Sequence, residues 1–494
     1  MNKILSSIKE NKNIYIWSLV LVLLHFGIDF TFNYATDTYS TFNETGTWYH
    51  VIYENGRPLK ALIYYVIEIM NIPAGIVYHA SQASGMLMLA VAVAMFTLIL
   101  KNYLANETLC LIISFVTLVN PFFIEFMLFE EKGLFMLVIL LNIIALSFTE
   151  KRWRTGEGDL IKEIIIVQLC LWVSVFIYQT IIEVYVVLCL PFIAIWSKSV
   201  KDFISKNIYV MIMYGVPMGC AFLLAKFFLP VERLDNNLDL AGKIQNFIRI
   251  FKFVTVDEFY TLRKGLFLIW LFILFAVAVF AIIRSSQPWF KTFFYVAYIS
   301  IGCTVVSFLL YITGSSTVCW PRMIYTYGML FGCVLLYLLY IKDQMEQKSI
   351  FDSVFKIIAV SLLCIILVFD YISFGKVFLE RHRANQEDMY YAEIIGQRIA
   401  EYEEETGITI DTLCYYKDYH IAVFGEGFDD SHLNERAQAS GWSRHNSIEI
   451  YLDKHFNQGE PDPELQEMFS QKDWNMFSEE QLIFDGSTLH ICVY

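Results

Sequence analysis

Three charged residues of this sequence have the types and the local settings that a transfer reaction needs. Asp37 opens the segment "DTYSTFNETGTWYHVIYENGRPL", and Arg57 stands near its end, between Gly56 and Pro58. Gly56 permits an unusual backbone angle and Pro58 favours a helix start, so this turn would fix the direction of Arg57. Arg322 lies far along the chain, in "STVCWPRMIY". A carboxylate can accept a hydroxyl proton and guanidinium groups bind phosphate oxygens in pairs, so the set fits displacement of a phosphate.

A sugar carried on a lipid phosphate would need little more than these groups. Its leaving group is already an anion, so no acid has to protonate it, whereas glycosidases use two carboxylates to expel an alkoxide. Cationic donors must hold the departing phosphate while one carboxylate takes the acceptor proton. One Asp and two Arg meet this requirement, although the same charges also fit the gate of a transporter.

Further polar residues are expected near these three. For the acids at 130 and 131 the alternative is an ordinary solvated loop, and for both arginines it is snorkelling of the side chain at a membrane surface. The candidates for substrate binding are Tyr39, Asn55, Arg57, Glu125, Glu130, Tyr178, Gln179 and Arg322, with Glu131 and Lys132 beside them.

Long apolar stretches must position these residues. The chain has 494 residues, 57% of them apolar, and runs of about 20 apolar residues recur, which is the length a helix needs to cross a bilayer. The runs do not alternate as barrel strands do, so we predict an all-α polytopic membrane protein. The eleven expected crossings are 14–31, 82–100, 107–123, 132–149, 161–178, 181–197, 208–229, 265–284, 292–313, 323–341 and 354–373.

Lysine and arginine clusters fall on alternate loops and predict one orientation. Lys101, Arg152, Lys201, Lys291 and Lys342 represent the five positive loops. Because short cytoplasmic loops carry the positive charge, the N-terminus is expected inside, with the first run as an uncleaved anchor. Eleven crossings then put the C-terminus and the candidate site outside. Residues 58–72 and 240–254 have the mixed apolar spacing of helices that lie in the interface plane.

The composition changes near residue 374. Residues 374–494, hereafter the tail, hold 24 acidic and nine basic residues. This break predicts two domains, a transmembrane domain over 1–373 and an acidic extracytoplasmic domain over 374–494, and the acidity argues against a nucleic-acid partner. A helix over 386–405 and the β-prone runs "ITIDTLCYY", "SIEIYL" and "TLHICVY" predict a small α+β fold. Cys414 and Cys492 could pair if the tail is extracytoplasmic, but no spacing motif favours pairing over two free thiols.

Cofactor motifs are absent from the sequence. No pair of His or Cys has metal-ligand spacing, and there is no GxGxxG, P-loop or HExxH pattern, so the sequence supports neither a nucleotide nor a protein-bound metal.

The order of the motifs resembles the GtrII-type glucosyltransferases, the family linked to glucosylation of surface polysaccharide. An apolar anchor is followed by "DTY", "NGRPL", "NPFFIEFMLFEE", "YQT" between two crossings, and a helix-led tail. The similarity extends over essentially the whole chain, and the order of "NGRPL" and "YQ" is its most specific part.

This resemblance implies a GT-C-class hexosyltransferase of the bacterial inner membrane. It implies an undecaprenyl-phosphate donor that carries a hexose, with glucose the expected sugar, and a polysaccharide or teichoic-acid-type glycan as acceptor outside the membrane. Asp37 matches the expected base, and Arg57 the family's Gly-Arg-Pro turn. Many relatives have two adjacent acids here, whereas Thr36 precedes Asp37, so Asp29 is the fallback base and a divalent cation is the one cofactor left open.

Two other functions remain as alternatives. A transporter or flippase of lipid-linked saccharides would favour charged or broken helices at mid-membrane depth, and the crossings at 82–100 and 265–284 have no charged residue in their interior. A channel or structural assembly protein would not depend on a single external acid. The aromatic residues Trp48, Tyr49 and Tyr53 could contact sugar or lipid, or simply anchor the chain at the interface.

Overall fold

Apolar helices make up most of the protein in its computed structural model. The structure describes residues 9–31, 33–43, 52–53, 55–228, 240–283, 288–313, 319–343, 350–417, 436–438, 440–441, 443–471 and 478–493. Trp48 and Tyr49 lie outside these residues, whereas Tyr53 is described and exposed.

The helices of the first 373 residues follow the expected order. They are α1 Lys12–Phe26, α2 Thr36–Asn43, α3 Pro58–Ile69, α4 Ala74–Leu100, α5 Glu107–Leu118, α6 Lys132–Thr155, α7 Leu160–Ile177, α8 Glu183–Trp196, α9 Val200–Phe228, α10 Leu240–Thr255, α11 Leu266–Ile283, α12 Trp289–Ser307, α13 Leu309–Thr313, α14 Tyr325–Gly328, α15 Leu330–Asp343 and α16 Ile350–Thr406. Short 3-10 turns join several of them, at Gly27–Phe30, Ile124–Met127, Gln179–Ile182 and Pro321–Met323.

Ten helices within the described residues are long and apolar enough to cross a membrane, including extensions through the 3-10 turns. The predicted polytopic helical class therefore agrees with the fold. The expected crossing at 107–123 differs, because α5 has only 12 residues. At a rise of about 1.5 Å per residue it is shorter than a bilayer core. It ends at Leu118, and Asn120 and Pro121 begin a buried turn instead of another helical turn.

Two helices fill the places expected for interfacial segments. α3 and α10 correspond to the predictions at 58–72 and 240–254, and both fall outside the ten long apolar helices. The first ends at Ile69, and α4 begins at Ala74, well before the expected start at 82.

A mixed four-stranded sheet forms the centre of the tail. Its elements are β1 Thr412–Lys417, α17 Arg444–Leu452, β2 Asn457–Gln458, α18 Pro463–Ser470, β3 Leu482–Asp485 and β4 Thr488–Val493, in the sheet order β2-β1-β4-β3. β1 runs parallel to β2 and β4, while β3 is antiparallel to β4. Cys414 and Cys492 are buried on β1 and β4 and form no disulfide bond.

The strand predicted at "SIEIYL" is wrong, because these residues form the second part of α17. Three apolar residues at alternate positions suggested a strand, but tertiary packing decided the outcome: Ile448 is buried in the tail core, and α17 packs on both α16 and α2. Gly396 of α16 lets the two helices approach closely, since a Cβ atom there would lie 2.6 Å from Leu452 Cδ2.

The last helix of the bundle continues into the tail without a break. α16 has 57 residues and includes both the expected crossing at 354–373 and the expected tail helix at 386–405. The boundary predicted at residue 374 thus lies inside one helix, and the two-domain division stays a prediction.

Candidate active site

The turn that carries Arg57 is built as the sequence predicts. Gly56 has a φ of +76°, and Arg57 occupies the N-cap of α3, followed by Pro58 in the first helical turn. The side-chain amide of Gln179 donates a hydrogen bond of 2.6 Å to the carbonyl of Gly56. A Cβ atom at Gly56 would come within 3.2 Å of that amide nitrogen, so the turn favours glycine for its backbone angle and for this contact.

Arg57 also lies over Tyr178, the residue before Gln179. The central carbon of its guanidinium is 4.5 Å from the centre of the Tyr178 ring, a cation–π distance. Tyr178 is buried and packs edge-on against Phe126 and Phe135, which fixes the ring. The "NGRPL" and "YQ" motifs, far apart in sequence, therefore form one structural unit.

Arg322 is held by Glu125. Its backbone N–H donates to Glu125 Oε2 at 2.9 Å, and its guanidinium forms an ion pair with the other oxygen of the same carboxylate. The guanidinium also lies 5.0 Å from the ring centre of Phe129 and 5.9 Å from that of Trp320. These contacts fix its direction, while 21% of the side chain stays exposed.

The charge of Asp37 affects the pKa of both Arg322 and Glu130. Asp37 is a half-buried residue in the first turn of α2. Burial is the largest single effect on Arg322 and opposes its charge, but Glu125, Tyr178 and Asp37 together outweigh burial and hold the pKa of Arg322 above its ordinary value. The charge of Asp37 also adds to the pKa of Glu130. Asp37 is thus close enough to Arg322 for their charges to interact, although the two residues are far apart in the sequence.

Glu130 and Glu131 have different partners and different charge states. Glu130 is buried and accepts hydrogen bonds from the hydroxyls of Thr41 at 3.0 Å and of Thr38 and Tyr64 at 3.5 Å. Burial raises the pKa of Glu130 well above its usual range, and the neighbouring Glu131 carboxylate raises it further. Burial also disfavours the charged form of Glu131, but the ammonium of Lys60, a hydrogen bond with Glu130 and the charge of Arg57 together more than offset burial and lower the pKa of Glu131 to about 2.

The fallback base, Asp29, is engaged in a buried ion pair. Its Oδ2 atom lies 2.6 Å from Lys132 Nζ, and both side chains are completely buried. The ammonium also lies 4.9 Å from the ring centre of Tyr78. Asp29 is therefore the partner of the buried Lys132, and the pair joins α6 to the end of α1.

Tyr39 and Asn55 complete the set of predicted residues. Tyr39 follows Asp37 on α2 by two residues, but its hydroxyl binds Tyr451 and receives a hydrogen bond of 3.1 Å from Asn385, both in the tail. Asn55 is a half-buried residue of the turn before Arg57. Six other predicted residues thus lie on the turns and short helices around the two arginines, while the contacts of Tyr39 are on the tail side of α2. The six are Asp37, Asn55, Glu125, Glu130, Tyr178 and Gln179.

Sequence reasoning missed Lys60 and the two threonines. A lysine in the apolar stretch "PLKALIYYV" was the available signal for Lys60, because a buried charge needs a partner and Glu131 is one. Thr38 and Thr41 carry no such signal, since threonine is common in any polar loop. In the part of the chain that the structure describes, no three His, Cys, Asp or Glu side chains group as metal ligands.

An all-helical bundle with acids and arginines on its connecting loops defines a polytopic membrane protein with a polar site. The family model "Glucosyl transferase GtrII" matches residues 24–333, well over half of the chain, and the match contains every candidate site residue. The chain belongs to this family, and is a multi-pass membrane glucosyltransferase by that membership. A comparison with curated proteins finds none that matches it.

Proposed function

We propose that this protein transfers a hexose, glucose by family, from undecaprenyl phosphate to a cell-surface glycan at the outer face of the bacterial inner membrane. The observation that carries the proposal is that the turn at 125–131 bonds to α2, which carries Asp37, through Glu130 and to Arg322 through Glu125, although α2 and Arg322 are far apart in the sequence. A base beside a phosphate-binding cation is what this transfer requires.

Arg57 and Arg322 hold the donor phosphate in this proposal. Each guanidinium is aimed by its own support, Tyr178 and the Gly56–Gln179 contact for the first and Glu125 for the second. Aimed donors stabilise charge on the departing phosphate without reorganising as it develops. Glu125 and Gln179 then act indirectly on the donor, because they orient the arginines that bind its phosphate.

Asp37 activates the acceptor. A hydroxyl oxygen of the acceptor glycan forms a bond to the anomeric carbon as the bond from that carbon to the phosphate oxygen breaks. The hydroxyl proton passes to the Asp37 carboxylate, and undecaprenyl phosphate leaves as the anion held by the arginines. No oxidant, reductant or further reactant is needed.

Two points support the outer location. The positive loops predict that the tail is outside, and α17 of the tail packs directly on α2, which carries Asp37. The site and the tail therefore share one side of the membrane, which is the side where a surface glycan would be met.

Purified protein incubated with a radiolabelled undecaprenyl-phosphate hexose and acceptor glycan tests this function. We expect the wild type to release undecaprenyl phosphate and to label the acceptor, and Asp37→Asn to lose about 100-fold to 10,000-fold in rate, the usual contribution of a general base. Glu258→Gln, an exposed acid between α10 and α11, is the matched control and should behave as wild type.

Other results would point elsewhere. A wild type that moves the labelled lipid across vesicles without consuming it would be a flippase. If Asp37→Asn kept its turnover, the base would lie elsewhere, with Asp29 and then Glu125 to be tested next. For Asp29→Asn we expect loss of folded protein, because the buried Lys132 would lose its partner.

A further inference from the structure

The helix that carries Asp37 is held from the bundle side by one buried acid. Thr38 and Thr41 stand one turn apart on α2, and both donate their hydroxyls to Glu130. Tyr64 of α3 donates to the same carboxyl group, so Glu130 joins α2 to α3. Because Glu130 is buried among protein hydroxyls, its contacts are those of a residue that positions α2.

The same helix is held from its other side by the tail. The two residues between those threonines, Tyr39 and Ser40, contact Tyr451 and Asn446 of α17, the second through a hydrogen bond of 3.3 Å from the Asn446 amide to Ser40 Oγ. Tyr39, Ser40 and Asn446 are buried. α2 therefore lies between the bundle and α17.

Asn385 of α16 connects the tail to the segment that leads into α2. Its Oδ1 atom accepts from the backbone N–H of Tyr34 at 2.7 Å, and its amide donates to the carbonyl of Tyr34 at 3.0 Å and to the hydroxyl of Tyr39 at 3.1 Å. The Tyr451 hydroxyl adds a hydrogen bond of 3.3 Å to the Asn385 carbonyl. The Asn385 amide thus bonds to both the N–H and the carbonyl of Tyr34, which requires a side chain with both a donor and an acceptor.

The segment at 436–438, which precedes α17, is bonded to α16 three residues after Asn385. The buried carboxylate of Asp388 lies 2.9 Å from a guanidinium nitrogen of Arg436 and accepts the backbone N–H of Ala437 at 2.8 Å. The backbone carbonyl of Asp388 accepts from Gln438 at 2.7 Å. The residues that lead into α17 are therefore fixed to the same helix as Asn385.

We infer that the tail sets the position of the catalytic carboxylate, with Tyr451 and Asn385 as positioning residues that act on Asp37 through α2. This inference rests on the proposed function of Asp37. It assigns the tail a part in the transfer step itself, because the carboxylate must meet the acceptor proton at hydrogen-bond distance. A displacement of about 1 Å by a distant change can cost about 100-fold in rate.

Tyr451→Phe tests the inference, since it removes one hydroxyl and keeps the ring that packs on Tyr39. We expect kcat to fall about 10-fold to 100-fold while the KM for the donor stays within about two-fold, because the arginines are untouched. Tyr390→Phe is the matched control, being a tyrosine of α16 with an exposed side chain, and should keep wild-type kinetics.

A reversible crosslink separates positioning from general loss of structure. Ser40→Cys with Asn446→Cys, added to Tyr451→Phe, places two thiols where a hydrogen bond of 3.3 Å now joins the side chains. Oxidation should form a disulfide and restore kcat towards the wild-type value, and reduction should remove the gain. A merely destabilised protein would not regain turnover in this reversible way.

Each contrary result is distinct from a failure of the proposed function. Wild-type kcat in Tyr451→Phe would overturn the positioning role and leave Asp37 as the base. Absence of a disulfide in folded, oxidised protein would overturn the contact between α2 and α17. Full turnover by Asp37→Asn would instead overturn the proposed function, whatever the tail variants do.

Discussion

The charged residues of the site differ in whether the side chain is completely buried with its partner. Lys60 with Glu131 and Lys132 with Asp29 are buried pairs, and each stabilises the fold around the site. The Arg322 side chain keeps 21% of its surface exposed, although it is paired. The two lysines are therefore structural, whereas a phosphate can reach Arg322. Substitutions of the two kinds of residue should have different effects.

Arg57→Lys and Arg322→Lys should each reduce transfer while the protein still folds. Lysine keeps the charge but offers no paired donors in a plane, and it stacks less well on Tyr178 or Phe129. Losing one aimed contact to the leaving phosphate costs about 2 to 4 kcal/mol in the transition state, or roughly 30-fold to 1000-fold in rate. Lys264→Arg, on an exposed loop residue, is the control. Wild-type turnover by either lysine variant would remove that arginine from the phosphate site.

The ion pair of Lys60 with Glu131 should make stability depend on pH in a known direction. The pKa of Glu131 falls from 4.5 to about 2 on folding. The folded protein therefore keeps this carboxylate charged where the unfolded chain has bound a proton, so the pair stabilises above about pH 4.5 and the benefit is lost as the pH falls towards 2.

Thermal unfolding of Glu131→Gln against wild type, measured from pH 7 downwards in detergent, checks this dependence. The variant should be less stable at neutral pH by about 3 to 5 kcal/mol, the usual result of leaving one buried charge unpaired. The difference should be constant down to about pH 5 and narrow below it. A difference that grew with acid would contradict the assigned charge state of Glu131.

At the scale of helices and strands, close packing around α5 matters most for the position of the site. This short helix leads into the buried turn that carries Glu125, and α15 lies directly against it. A Cβ atom on Gly332 of α15 would lie 1.7 Å from Thr117 Oγ1 and 2.8 Å from Thr117 Cβ. Neither atom belongs to the end of a flexible side chain, so the helices can approach this closely only with glycine.

Gly332→Ala should therefore lower the melting temperature. Alanine favours the helix over glycine by about 1 kcal/mol, but overpacking costs about 1 to 3 kcal/mol, so the steric term should prevail. Gly219→Ala in α9, where a Cβ atom would meet nothing within 4 Å, is the control and should be neutral or slightly stabilising. Equal melting temperatures for the two variants would show that α5 and α15 can separate at little cost.

The sequence predicted the long helices well because runs of about 20 apolar residues have few other structures open to them in lipid. It failed where several structures compete. The six residues of "SIEIYL" fit a strand by alternation and a helix by packing, and only their contacts with α16 and α2 decide. The site was partly predictable: charged residues in loops are visible, whereas the partner of each charge depends on which loops meet, as Lys60 and Glu131 show.

At the scale of the whole molecule, the orientation in the membrane is the main prediction. The tail is expected outside, together with α2 and the site. His455→Cys, at a highly exposed tail position, should react in intact cells with a thiol reagent that cannot cross membranes. Lys151→Cys, at an exposed position near the end of α6 that is expected inside, should react only after lysis. The reverse pattern would place the site in the cytoplasm and exclude an outer-face acceptor.

The 57 residues of α16 have one more consequence. At about 1.5 Å per residue the helix is about 85 Å long, nearly three times the thickness of a hydrocarbon core, so a large part of it extends past the lipid as a lever. A hydrophobic span adjusts its tilt to the thickness of the bilayer around it. Since Asn385 on this helix, and α17 packed against it, contact the helix that carries Asp37, we expect the rate of sugar transfer in vesicles to change with the length of the lipid acyl chains.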